Sequence, residues 1–260
     1  MSEILIQGIE FDEKSSFQQG PARAPQLIRE ALYSGSMNLF AENGKSISSE
    51  DYDDKGNFPI SEYFEIERIT RSHLDQKDKI LTLGGDHSIT FPIVKAYADK
   101  YEKLDILHID AHGDLYDEFE GDKYSHACPF ARIMENGYAN RLVQVGIRTL
   151  NTHQLEQAER FGVEIHEMKD LDLATIGPFN NPVYLSLDLD GLDPAYAPGV
   201  SHHEPGGLST RQVIDLIHGV KGDIVGADIV EYNPDRDIHQ MTAYLAAKLM
   251  KEIIAKMLMS

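Results

Sequence analysis

Six apolar runs punctuate this chain, each closing on polar or glycine-rich sequence: Ile4–Ile9, Lys79–Leu83, Leu104–Ile109, Leu142–Val145, Val183–Leu187 and Ile224–Ile229. Near-continuous apolar runs of this length predict strands buried on both faces, as in parallel sheets. Between them lie helix-length segments: Ala24–Leu32, Ile89–Tyr101, Cys128–Asn136, His153–Phe161, Thr210–Gly219 and Met241–Leu258. In the last, Met241, Tyr244, Leu245, Leu249, Ile253 and Met257 recur at helical spacing, which suits a helix packed on a sheet. Strand alternating with helix predicts an α/β fold, a mostly parallel sheet with helices on both faces. The polar stretch from Glu42 to Asn57, rich in Ser, Asp and Gly, predicts a surface loop rather than a domain boundary.

Composition narrows the class. The chain has 260 residues, 42% of them hydrophobic, and no internal repeat, which fits one domain over residues 1–260. No stretch approaches the roughly 18–20 apolar residues of a membrane span. The start, Met1 to Asp12, lacks the basic segment of a signal peptide and the Arg-rich profile of a transit peptide, so no removable leader is expected. A single cysteine, Cys128, excludes an intrachain disulfide and suggests a reducing compartment; the cytoplasm is the expectation. The net charge of −19, with 43 acidic against 24 basic residues, excludes the basic footprint of a nucleic-acid binder.

Some of those carboxylates sit where a solvated-surface explanation fails. Four motifs lie just beyond the carboxyl ends of predicted strands, where ligands bind in open α/β sheets. Gly84-Gly85-Asp86-His87-Ser88 pairs a sharp glycine turn with a histidine that is either structural or a ligand. In Asp110-Ala111-His112-Gly113-Asp114, alternate residues of extended chain converge, so Asp110, His112 and Asp114 form a mixed oxygen and nitrogen set suited to a divalent ion. Asp188 and Asp190 end a buried run on one face, where they would repel unless they shared a proton or a cation. Glu231, ending the run from Ile224, could bind metal, receive a cationic substrate or cap its strand. Taken together, Asp110, Asp114, Asp188, Asp190, His87 and His112 nearly balance two divalent cations. Such a pair lowers the pKa of a water and aims it at an electrophilic carbon.

These motifs, with Glu204-Pro205-Gly206-Gly207-Leu208-Ser209 and Glu231-Tyr232-Asn233-Pro234, resemble the arginase–agmatinase (ureohydrolase) family in the same order along the chain. Gly20 to Arg29 resembles the family's opening segment, and the stretch from Asp114 to Leu208 is most similar to plant-type arginases. The resemblance implies a three-layer α/β/α domain, two manganese ions per chain, assembly as a trimer or hexamer, and a small cationic guanidino substrate. It implies that His87, Asp110, Asp114 and Asp188 hold one manganese and that His112, Asp110, Asp188 and Asp190 hold the other. Asp114 would also steer the attacking hydroxide, His126 would shuttle protons, and Glu231 would grip the guanidinium through paired hydrogen bonds.

The implied reaction is hydrolysis of arginine to ornithine and urea. The alternatives are agmatine, giving putrescine and urea, or another guanidino compound. Gly113 departs from the commoner threonine, and His202 and His203 have no assigned role. The loop from Leu115 to Asp122 lacks the asparagine and serine with which animal arginases hold the amino-acid end. Two readings of other classes remain: a zinc deacetylase using His202 and His203 as a histidine pair, and a non-catalytic metal-binding protein.

Overall fold

The computed structural model describes residues 4–259. Eight strands form one sheet: β1 (Ile4–Glu10), β2 (Tyr52–Pro59), β3 (Lys79–Leu83), β4 (Asp105–Ile109), β5 (Arg141–Ile147), β6 (Glu164–Glu167), β7 (Val183–Asp188) and β8 (Ile224–Val230). Their order is β2-β1-β3-β8-β7-β4-β5-β6, and every pairing is parallel. The expected mostly parallel sheet is thus wholly parallel among the described residues.

Among the described residues, seven α-helices cover it: α1 (Ala24–Leu32), α2 (Glu65–Leu74), α3 (Thr90–Ala98), α4 (Pro129–Glu135), α5 (Thr152–Phe161), α6 (Thr210–Gly219) and α7 (Met241–Met257). Alternation along the strands builds two cores. Ile4, Ile6, Leu81, Leu107 and Ile109 face α1, α6 and α7, while Leu5, Ile80 and Ile106 face α2, α3 and α4. Strands apolar on both faces need helices on both faces, which accounts for the three layers.

The expected surface loop from Glu42 to Asn57 is corrected in its second half, because β2 begins at Tyr52. This strand pairs with β1 alone, at the sheet edge, and only Tyr52 in it is buried. An edge strand carrying Asp53, Asp54 and Lys55 discourages further pairing and lacks the apolar run that marks a central strand. The opposite edge, β6, is four residues long and went unmarked for the same reason.

Strand order places the chemistry. The motifs follow β3, β4, β7 and β8, far apart in sequence, yet these strands lie side by side as β3-β8-β7-β4. At about 4.8 Å between neighbours, the four carboxyl ends span only about 14 Å.

Candidate metal centre

The turn after β3 is possible because residue 85 is glycine: a Cβ there would lie 1.6 Å from the carbonyl oxygen of Phe11. Asp86 caps the short turn that follows by accepting from Ser88 N–H at 3.0 Å. His87 is thereby aimed across the strand ends. Its Nδ1 stands 3.1 Å from Asp110 Oδ2, 3.0 Å from Asp114 Oδ2 and 3.1 Å from Asp188 Oδ2. None of these contacts has hydrogen-bonding geometry, so Nδ1 is a buried polar atom without a partner.

A second nest adjoins the first. His112 Nδ1 lies 3.4 Å from Asp110 Oδ1 and 3.2 Å from Asp190 Oδ2. Asp110 therefore turns one oxygen toward each nest, and its Oδ1 also accepts from His112 N–H at 2.6 Å. Asp188 presents Oδ2 to the first nest, while its Oδ1 accepts from Asp190 N–H at 2.7 Å. All six expected ligands come together.

The donor set fits a pair of hard divalent cations. One nitrogen with three carboxylate oxygens at 3.0–3.1 Å matches the ~3.0 Å between neighbouring ligands of an octahedral ion with bonds of ~2.1 Å. Without such a countercharge the packing favours protons. Burial pushes Asp188 well above the carboxylate range and Asp190 up to about 7. Burial opposes protonation of His87, but the three carboxylates outweigh it and hold the ring well above its usual value. Buried like charges of this density call for cations.

Beside the nests, His126 Nδ1 meets Glu231 Oε1 at 2.9 Å. Burial lowers the affinity of His126 for protons, but Glu231 prevails and raises its pKa to about 9. Ser16 brings both its N–H, at 3.1 Å, and its hydroxyl, at 2.8 Å, to His126 Nε2. The N–H serves a neutral ring and the hydroxyl oxygen a protonated one, so both states have a partner. Glu231 Oε1 also accepts from His87 N–H at 2.9 Å, which leaves Oε2 for the cavity. Asp114 and Glu231 both adopt left-handed backbone, with φ of 48° and 63°, an uncommon conformation for such residues that concentrates at working sites.

Beneath the nests runs a polar row unmarked in the sequence analysis. Gln7, Thr82, Asp228, Ser186, His108 and Gln144 stand at matching register on six successive strands, all fully buried. His87 Nε2 meets Ser186 Oγ at 2.9 Å, and Ser186 donates to Asp228 Oδ1 at 2.7 Å. Asp228 Oδ2 accepts from Thr90 and Tyr184 hydroxyls. The signal for this row was present as single polar residues interrupting apolar strands. Arg148 was also missed; its guanidinium binds the carbonyls of Asp190 and Glu204, at 2.8 and 2.6 Å, and anchors the loop beside the second nest.

The nests floor a cavity of about 270 Å³. Asp114, Asp188, Asp190, Glu204 and Glu231 line it, and among the described residues no Lys or Arg does. His202 lines it too, its ring 5.8 Å from that of His112 and 5.5 Å from that of His126. His203 is exposed and turned away, donating from Nε2 to Pro198 O at 2.7 Å. With only one of the two facing the cavity, the deacetylase-like histidine pair is not formed. Gly113 has a steric reason: a Cβ there would come within 2.7 Å of Gln154 Oε1, and Gln154 lines the same cavity.

A family model described as the arginase family matches residues 2–255. The chain belongs to the arginase family. It is 47% identical over 271 residues to arginase 1, mitochondrial, of Arabidopsis thaliana, covering 96% of this chain and 79% of that protein. The structure of arginase from Medicago truncatula superposes with a TM-score of 0.93 at 44% identity, covering 98% of this chain and 87% of that one. N(1)-aminopropylagmatine ureohydrolase of Thermus thermophilus is 43% identical over 181 residues, 66% of this chain and 61% of that protein. As an arginase-family member the chain is a hydrolase with the family's fold, and its buried His and Asp cluster fits a binuclear metal site.

The cytoplasmic expectation does not stand, because similar arginases carry mitochondrial or chloroplastic in their names. A chain with a single cysteine can form no intrachain disulfide in any compartment, so Cys128 does not separate the cytoplasm from an organelle interior. Among the described residues, no helix is long and apolar enough to cross a membrane.

Proposed function

We propose that this arginase-family hydrolase splits L-arginine into ornithine and urea. His87, Asp110, Asp114, Asp188, Asp190 and His112 would hold two manganese ions. Bound there, the ions would supply Lewis acidity and a nucleophilic water at neutral pH. Glu231 Oε2 receives the guanidinium, whose N–H groups only donate, and so orients its carbon over the nests. Asp114 orients the attacking water by accepting its hydrogen bond. Protonated His126 keeps its Nδ1–H on Glu231 Oε1 and passes the proton on Nε2, by way of Ser16 Oγ, to the departing amine. Of the water's two protons, one completes the ammonium and the other restores His126. The water oxygen ends on the guanidino carbon, the C–N bond to the ornithine side breaks, and the amine leaves protonated.

The observation that carries this reading is the convergence of three carboxylates on the unpartnered His87 Nδ1 at the floor of an acidic cavity. Identity to plant arginases over 96% of the chain supports arginine as substrate. A second reading, agmatine, is favoured by a lining without any Lys or Arg to meet a substrate carboxylate. Urea release from arginine and agmatine, side by side after manganese loading, separates them: faster turnover of agmatine would reject arginine as the substrate. Metal analysis after loading with manganese, cobalt, nickel or iron tests the choice of metal. The same reading takes residues 1–260 as one domain, supported by both cores sharing a single sheet, and takes the assembly as a trimer or hexamer. A single cooperative melt and light scattering check these two points.

A further inference from the structure

His108 lies fully buried on β4, two residues before Asp110 and within reach of His87, Asp110 and Asp114. Its position suggests a seventh metal ligand, but its hydrogen bonds assign it another task. Gln144 on β5 approaches two acceptor sites with one atom. That atom stands 2.6 Å from Gly113 O, and a carbonyl only accepts, so it is the amide nitrogen. The same nitrogen stands 3.0 Å from His108 Nδ1, which must therefore present a lone pair. An N–H at Nδ1 would oppose the amide donor, so both the protonated ring and the other neutral tautomer are excluded. The ring proton resides on Nε2, 2.7 Å from Asp110 Oδ2, and is donated to it. Phe130 stacks on the imidazole with centroids 3.9 Å apart and fixes the ring plane.

We propose that Gln144 and His108 form a tautomer lock that orients the carboxylate of Asp110, the residue that turns one oxygen toward each nest. The inference rests on the metal reading above. Asp110 is then held at both oxygens, Oδ1 by His112 N–H and Oδ2 by His108, and its remaining lone pairs face the two nests. A bare Nε2 at 2.7 Å would set two lone pairs against each other and swing the carboxylate away. His108 is a positioning residue acting through Asp110; with both nitrogens engaged, it holds no metal.

The test begins with the metal-free wild-type protein, in which ¹⁵N NMR reads the tautomer of His108; a single Nε2–H form is expected. Manganese dissociation constants are then measured by chelator competition for His108→Leu, His108→Gln and Gln144→Met. His108→Leu should weaken manganese binding by roughly 10–100-fold, the usual effect of losing a partner that orients a metal ligand. His108→Gln, whose amide nitrogen reproduces the Nε2–H donor, should recover most of that loss. Gln144→Met should weaken binding and give a mixture of tautomers. An Nδ1–H form in the wild type overturns the proposal even if the variants fail to fold. So does unchanged manganese affinity in folded His108→Leu, or a loss in His108→Gln as large as in His108→Leu. Wild-type protein that binds no divalent metal overturns the metal reading itself; wild-type binding with unaffected variants overturns the lock alone.

Discussion

Replacing Glu231 with Gln keeps the shape of the side chain and removes one charge from the centre of the site. In the metal-free protein Glu231 is the leading influence that raises the pKa of His126 from 6.5 to about 9, against burial. At 1.36 kcal/mol per pKa unit, this net shift corresponds to roughly 3 kcal/mol, to which Asp86 and Asp114 also contribute. The folded pKa lies above the unfolded one. The stabilisation is therefore fully present below pH 6.5 and is lost as pH rises through about 9. Chemical denaturation of the metal-free wild type should show stability falling by up to about 3 kcal/mol across that window from the titration of His126. In Glu231→Gln the slope should flatten, and the NMR titration of His126 should move to lower pH. In the metal-loaded enzyme the same change removes the anionic acceptor for the substrate cation. A lost charge-assisted hydrogen bond is worth about 1.5–3 kcal/mol, so kcat/KM should fall by roughly 10–100-fold. Titration of wild-type His126 below pH 6.5, or an identical pH slope in the variant, would refute the pairing.

Asp110→Asn should lower bound metal well below two per chain and abolish urea release, because one residue faces both nests; full metal content by elemental analysis would show that Asp110 is dispensable. Gly113→Thr would bring a Cβ to within 2.7 Å of Gln154 Oε1, and because only a side-chain tip has to shift the cost in a melt should be about 1 kcal/mol, the low end for overpacking. A rise in KM should accompany it as Gln154 is displaced from the cavity, and unchanged stability and KM would count against the steric account. Asp228→Leu strands the hydroxyls of Thr90, Tyr184 and Ser186 and should destabilise the protein by about 3–5 kcal/mol, seen as a lower denaturation midpoint.

The strands that could be read in advance are those buried on both faces. β3, β7 and β8 fall within a residue or so of their apolar runs, because a strand covered by two helical layers has no polar face to blur the pattern. The edge strands β2 and β6 escaped because each pairs on one side only and carries charge. Helix α2 escaped similarly: Ile66, Thr70, His73 and Leu74 are buried, but its other face is charged, and the segment contains no long apolar run. His203 shows the limit of motif reading, since its neighbour His202 lines the cavity and it does not.

The sequence by itself determined the parallel α/β class, the identity of the six candidate ligands and their place at strand ends. These follow from local rules: two-residue alternation, glycine turns, and carboxylates that cannot remain buried together without a cation. Only the tertiary structure decided that β3, β8, β7 and β4 are neighbours, so that Glu231 reaches His87 across 144 residues of chain. It also decided that Asp110 divides its oxygens between two nests, and that a row of lone polar residues lies at one level beneath them. Strand order and register are set by packing among distant segments, and no local pattern of residues encodes which apolar run will lie beside which.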